Sequence, residues 1–208
     1  MWVIKIGGSL LGSEELIHWL DVFARYGDGK VILVPGGGIF ADAVRRAQKQ
    51  VNLSDSAAHR MAVMAMDQYG ILMADLNPSL VTAESELEIA ERGWQHRAIV
   101  WLPSKMVISD DKIPKSWDVT SDSLAAWLAS KLNAEQLILI KSQPPLTRQM
   151  SIEHLIKENI VDKDFGDFTV GQRFHTWILG KDDYFAFSSG ISQETMHRVG
   201  MKVRCAWN

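Results

Sequence analysis

The stretch Val3-Ile-Lys-Ile-Gly-Gly-Ser-Leu-Leu11 constrains this chain more than any other. Val3, Ile4 and Ile6 form a short apolar run of strand type, Gly7 and Gly8 break it, and a helical pattern opens soon after. A strand that ends in two glycines before a helix frees backbone N–H groups where an anion can approach closely. Lys5, at the end of that strand, places an ammonium within reach of the same anion. Two readings stand: a phosphate cradle, or a tight strand–helix turn with a solvated lysine.

The next residues repeat the pattern. Residues 13–26 place Leu16, Ile17, Leu20 and Phe23, with Trp19, at helical spacing behind a Ser13 N-terminus. Gly27-Asp-Gly29 ends that helix. Val31-Ile-Leu-Val34 is a continuous apolar run of the kind buried on both faces of a parallel sheet. Strand, helix, strand is a βαβ unit, so the chain reads as an α/β fold. The second strand stops at Pro35-Gly-Gly-Gly38, and a helix follows to about Lys49. Two glycine loops at the carboxyl ends of neighbouring parallel strands share one sheet edge, where open α/β folds bind ligands. Close helix–strand packing is the alternative explanation for Gly36, Gly37 and Gly38.

Further on, Ser54 to about Leu76 reads as a long methionine-rich helix, with Ala57, Met61, Met64, Ala65, Gln68 and Leu72 on its inner face. A shorter helix is expected near 84–92, a strand at 98–102 and a helical turn at 103–107. Thr120 stands as N-cap of a helix to Leu132 with Asp122 in its first turn, where a carboxylate complements the helix dipole. The functional alternative is that Asp122 faces the site and holds a lysine. Leu137-Ile-Leu-Ile140 is a buried strand ending at Lys141-Ser142, and Lys141 is either a second phosphate contact or a loop lysine. Residues 151–159 read as a helix and 161–171 as a loop. Thr176–Leu179 and Tyr184–Phe187 read as a hairpin, and a small helix follows at 188–199. Met201 to Ala206 reads as a closing strand that makes Cys205 a small core side chain.

Charge and cysteine content close off other classes. With 22 basic and 25 acidic residues the net charge of −3 offers no footprint for nucleic acid or an anionic membrane. One cysteine permits neither an internal disulfide nor a thiolate metal cage. No signal peptide and no apolar span of membrane length is visible, so a soluble, cytoplasmic protein is expected. Neither glycine loop reads G-x-G-x-x-G, which disfavours a nicotinamide dehydrogenase.

Three segments taken together resemble the amino acid kinase superfamily: VIKIGGSLL, VPGGGIFADAVR and VTSDSLAAWLASKLNAEQLILIKS. The resemblance implies one domain over 1–208, a three-layer αβα sandwich on a mainly parallel sheet. Its acceptor side would be about 1–118 and its nucleotide side about 119–208. It implies ATP and Mg²⁺, with Lys5, Gly7, Gly8 and Ser9 at the transferred phosphoryl group, the 36–38 glycines at the acceptor, and Asp122 organising the lysines. Lys141 and Ser142 are the further nucleotide-side candidates, and no metal-ligating residue is assigned. The late Gly-Gly-Met-x-x-Lys segment of many members is missing, so Lys141 or Lys181 is the candidate for the second lysine. Arg45, taken as substrate-binding, and His59, Arg60 and Asp67 are candidate acceptor contacts, with a surface or packing role standing beside each.

GGGIFADAVR, AMDQYGILMADL and IVDKDF look like the short kinases that act on [5-(aminomethyl)furan-3-yl]methyl phosphate in methanofuran and methylofuran biosynthesis, part of one-carbon metabolism. The implied acceptor is a small phosphate monoester, and the implied assembly a homo-oligomer. Uridylate or another small phosphate as acceptor, and a nucleotide-binding module without turnover, remain the alternatives.

Overall fold

A computed structural model of the chain describes residues 1–204. Eight strands form one sheet: β1 (Trp2–Ile6), β2 (Val31–Pro35), β3 (Val81–Ala83), β4 (Ala98–Trp101), β5 (Gln136–Lys141), β6 (Gln149–Ser151), β7 (His175–Gly180) and β8 (Met201–Arg204). Their order is β3-β4-β2-β1-β5-β7-β8-β6. From β3 to β7 every neighbouring pair is parallel, and β8 runs antiparallel to β7. The helices are α1 (Glu14–Tyr26), α2 (Gly38–Val51), α3 (Asp55–Leu76), α4 (Glu86–Gly93), α5 (Ser104–Ile108), α6 (Ser121–Lys131), α7 (Ile152–Lys157), α8 (Phe165–Thr169) and α9 (Gln193–Val199).

Strand alternation sends side chains to two separate cores, one on each sheet face. Val3, Ile32, Leu137 and Leu139 pack with Leu124, Ala125 and Leu128 of α6. Ile4, Ile6, Ile138 and Ile140 pack on the other face with Leu16, Trp19, Leu20 and Phe23 of α1. This is the expected three-layer α/β sandwich. The Ser13 hydroxyl caps α1 by accepting from Leu16 N–H at 3.3 Å, and Ser54 caps α3 in the same way. Among the described residues, no helix is long and apolar enough to cross a membrane.

Three expectations are corrected, and a fourth falls outside the described residues. Helix α3 has the expected span but turns a different face inward: Ala58, Val63, Ala65, Met66, Tyr69 and Met73 are buried, while Met61 and Met64 are 40% and 48% exposed. Residues 181–187 form a 3₁₀ helix rather than the second strand of a hairpin; β7 pairs instead with β5 and β8. Trp19 Nε1 donates to the Lys181 carbonyl at 2.8 Å, tying that segment to α1 away from the sheet. The loop expected at 161–171 contains the short helix α8. The closing strand is described to Arg204, and the expectation for Cys205 and Ala206 lies outside the described residues.

Candidate active site

Three chain segments meet at the carboxyl ends of β1, β2 and β5. The two glycine loops touch backbone to backbone: a Cβ on Gly8 would lie 2.4 Å from Gly38 N, and one on Gly36 would lie 2.4 Å from Gly8 N. No side chain fits between the loops, which is the physical reason for glycine at both positions. Gly38 has φ of +52°, in the left-handed region glycine tolerates, and opens α2. Gly7 N–H donates to the Ile140 carbonyl at 3.1 Å, tying the first loop to β5. The Ser9 and Ser142 hydroxyls hydrogen-bond at 3.0 Å across the same gap.

Strand register sets the charged groups. Lys5 lies opposite Leu139 in the β1–β5 pair, so Lys5 and Lys141, two residues beyond Leu139, point to one face. That face is covered by α6, whose first turn carries Asp122. Its Oδ2 accepts from Lys141 Nζ at 2.6 Å, and its Oδ1 lies 2.8 Å from Lys5 Nζ. The second contact is a close ion pair between buried groups. An ammonium has three N–H donors, so Lys5 can hold Asp122 and still offer donors to a further acceptor.

All three side chains are buried, at 7%, 6% and 14% exposure for Lys5, Asp122 and Lys141. Burial alone would raise the Asp122 carboxyl, but Lys141 and Lys5 outweigh it and hold it at about 2. Burial pushes Lys141 below the ordinary lysine range against the opposing pull of Asp122. Asp122 is thus a buried carboxylate shared by two lysines, beyond a dipole-complementing helix residue. Of the two candidates for the second lysine, Lys141 joins this cluster. Lys181 instead bonds Glu15 and Asp182 beside α1.

Asp162 is the residue that sequence reasoning missed. Its Oδ2 accepts from Thr120 N at 3.0 Å and from Ser123 N at 2.8 Å, and its Oδ1 accepts from the Thr120 hydroxyl. The cap of α6 is therefore supplied from forty residues downstream. Thr120 occupies the N-cap position but makes no side-chain cap of its own. Burial, with the Asp122 charge, raises the Asp162 carboxyl above its ordinary range. The only local sign was the acidic IVDKDF segment, which does not show that its aspartate caps a distant helix.

Beside the glycine loops lies a cavity of about 380 Å³, within the usual size of a small-molecule site. Gly8, Ser9, Gly37 and Gly38 form one end, and α2, α3 and residues 117–124 form the walls. Arg45 stands in it with its guanidinium 4.3 Å over the Trp117 ring and 3.1 Å from Asp42. Trp117 is fixed by its Nε1, which donates to Gln48 Oε1 at 2.7 Å. His59 is a buried member of the wall. Arg60 and Asp67 lie outside this lining: Arg60 is exposed on α3, and Asp67 accepts from Ser104 N at 3.1 Å.

Paired glycine loops at a parallel-sheet edge and one aspartate between two lysines define an α/β protein that gathers glycine-rich backbone and two ammonium groups at one end of its sheet. Residues 1–86 match the model of the amino acid kinase family. The chain is 32% identical over 145 residues to [5-(aminomethyl)furan-3-yl]methyl phosphate kinase of Methanocaldococcus jannaschii, an alignment covering 67% of this chain. It spans 64% of that relative's length. The chain is thus similar to the amino acid kinase family over these stretches. Uridylate kinase from Archaeoglobus fulgidus superimposes with a TM-score of 0.69 over 98% of this chain and 99% of its own, at 16% identity. UMP kinase from Bacillus anthracis gives 0.66 over 99% and 96%, at 13% identity. At those identities the likeness is one of fold.

Proposed function

We propose that this protein is an ATP-dependent phosphotransferase whose acceptor is a small phosphate monoester, [5-(aminomethyl)furan-3-yl]methyl phosphate, converted to its diphosphate. The observation that carries the reading is Asp122 between Lys5 and Lys141, next to two glycine loops in backbone contact. Phosphoryl transfer needs positioning and neutralisation of charge more than covalent chemistry. Lys5 and the N–H groups of Gly8 and Ser9 would stabilise charge on the transferred group, with Gly7, whose own N–H is bonded to Ile140, shaping the loop that presents them. Lys141 and Ser142 would meet the nucleotide phosphates, Asp122 keeping both ammonium groups charged and in place. Gly36, Gly37, Gly38 and Arg45 would hold the acceptor phosphate. A phosphate nucleophile is already ionised, so the reaction requires no general base.

The buried ammonium groups and the glycine loops beside the cavity would suit a triphosphate, since a polyanion requires positive charge and backbone N–H groups. Mg²⁺, bound to the nucleotide, would supply charge neutralisation between its phosphates. The reading treats 1–208 as one domain with an acceptor side of about 1–118 and a nucleotide side of about 119–208. It also carries a cytoplasmic homo-oligomer, for which sedimentation of the purified protein is the check.

Support for this substrate rests on the relative's printed activity and on a cavity whose walls mix apolar side chains, among them Ala62, Val63 and Met66, with the polar Asp42, Arg45 and His59. The test is ADP release from Mg·ATP with the furan phosphate, UMP, isopentenyl phosphate or no acceptor. Turnover that depends on the furan phosphate and is lost in Lys5→Ala supports the proposal. Turnover with UMP instead moves the acceptor to uridylate, and ATP binding without turnover leaves a nucleotide-binding module.

A further inference from the structure

One wall of the cavity carries a polar group that phosphate binding leaves unused. His59 stands on α3 in that wall and is only 6% exposed. Its Nδ1 lies 3.0 Å from the Ser116 carbonyl oxygen. A carbonyl only accepts, so Nδ1 carries the hydrogen and donates it. In a neutral imidazole the other nitrogen, Nε2, is then an acceptor with no hydrogen of its own. Burial pushes the imidazole below its ordinary range, against the pull of the Ser116 carbonyl, and Lys115 adds to the lowering. No described residue donates to Nε2, and Nε2 is not among the buried polar atoms cut off from solvent.

The neighbouring surface is apolar, with Ala62, Val63, Met66 and Leu124. A small flat apolar body fills such a space, and one lone pair in its wall selects a ligand that brings a donor. Asp42, in the same cavity, is paired with Arg45 at 3.1 Å and so belongs to the phosphate end, which leaves His59 as the acceptor on this wall. A donor that is also a cation gains a charge-assisted bond, roughly twice as strong as a neutral one.

We infer that His59 is a specificity-determining residue: its Nε2 accepts a hydrogen bond from a primary ammonium group on the acceptor, at the end away from the phosphate. The inference rests on the phosphotransferase reading and adds the group that distinguishes this acceptor from other small phosphates. A site built to pair a donor discriminates strongly against the analogue that lacks it, because its own polar group is then left unpaired.

The experiment compares kcat/KM for [5-(aminomethyl)furan-3-yl]methyl phosphate and for its 5-methyl analogue, in wild type, His59→Phe and His59→Gln. Calorimetric binding of both compounds runs in parallel, with thermal unfolding to establish that each variant is folded. Wild type is expected to prefer the amine by roughly 10- to 100-fold, the range of a hydrogen bond to a charged group. In His59→Phe that preference collapses towards one, and His59→Gln, which offers an amide oxygen, recovers part of it. An equal amine preference in wild type and folded His59→Phe overturns the inference, as does a wild type that does not distinguish the compounds. If no acceptor is turned over, the phosphotransferase reading falls, while the binding ratio still decides for or against the His59 contact.

Discussion

Replacing Asp122 by Asn keeps the side-chain shape and removes the only charge between Lys5 and Lys141. The lysines expose 7% and 14% of their side chains, so water replaces little of the lost partner. Breaking a buried pair by removing one member costs about 3–5 kcal/mol. At about 2–4 °C per kcal/mol for a domain of this size, the expected fall in Tm is about 6–20 °C. The deficit also carries a pH signature. In wild type the Lys141 shift reflects burial and Lys5 lowering it while Asp122 raises it. Without Asp122 the Asp162 charge, the smallest of the raising causes, is left against burial and Lys5, so the folded-state pKa drops further below the unfolded value. The unfolded chain then binds more protons across that window, and stability rises with pH through it. The deficit is fully present below the folded pKa and shrinks as pH climbs towards the ordinary lysine value of 10.5. On the acid side it narrows too. Wild-type Asp122 stabilises above its unfolded pKa, and that contribution is lost as pH falls towards about 2. Urea unfolding of both proteins from about pH 2 to about pH 10 measures this. A deficit under about 1 kcal/mol, within the range of an exposed pair, or one that does not change with pH, refutes the reasoning.

Gly8→Ala would set a Cβ 2.4 Å from Gly38 N; forcing the loops apart should cost about 1–3 kcal/mol by denaturant unfolding and lower turnover, and an unchanged midpoint would contradict the interlock. Asp162→Asn should cost about 1–3 kcal/mol and speed hydrogen exchange at the Thr120 and Ser123 amides; unaltered exchange there would remove Asp162 as the cap of α6. Lys141→Met is expected to lower kcat by about 10²–10³-fold with a smaller effect on acceptor KM, and a kcat within twofold of wild type would exclude Lys141 as the second lysine.

The parts legible in the sequence are those whose signals are local. The apolar runs 3–6, 31–34 and 137–140 give buried parallel strands, and the glycine loops mark the ligand edge because they follow two of those strands directly. Helix α3 was visible as a helix but its inward face was not. Apolar residues surround it, so period alone does not choose between Met61 and Val63. Strands β3 and β6 have three residues each, too short for alternation to register. The segment 181–187 mimics a strand by composition, and its contact with Trp19 is what decides otherwise. Asp162 and His59 act through Thr120 and Ser123, and through the Ser116 carbonyl, at separations no local pattern encodes. Lys5, Asp122 and Lys141 were legible as candidates, and the strand register that unites them became visible only with β1 and β5 paired.

The most direct measurement of the central claim is phosphorus NMR of the protein with Mg·ATP and [5-(aminomethyl)furan-3-yl]methyl phosphate. The account predicts that the monoester resonance is replaced by the coupled pair of a new diphosphate, with ADP in equal amount and neither change in Lys5→Ala. An unchanged monoester while ATP is consumed, or while neither reacts, would contradict it.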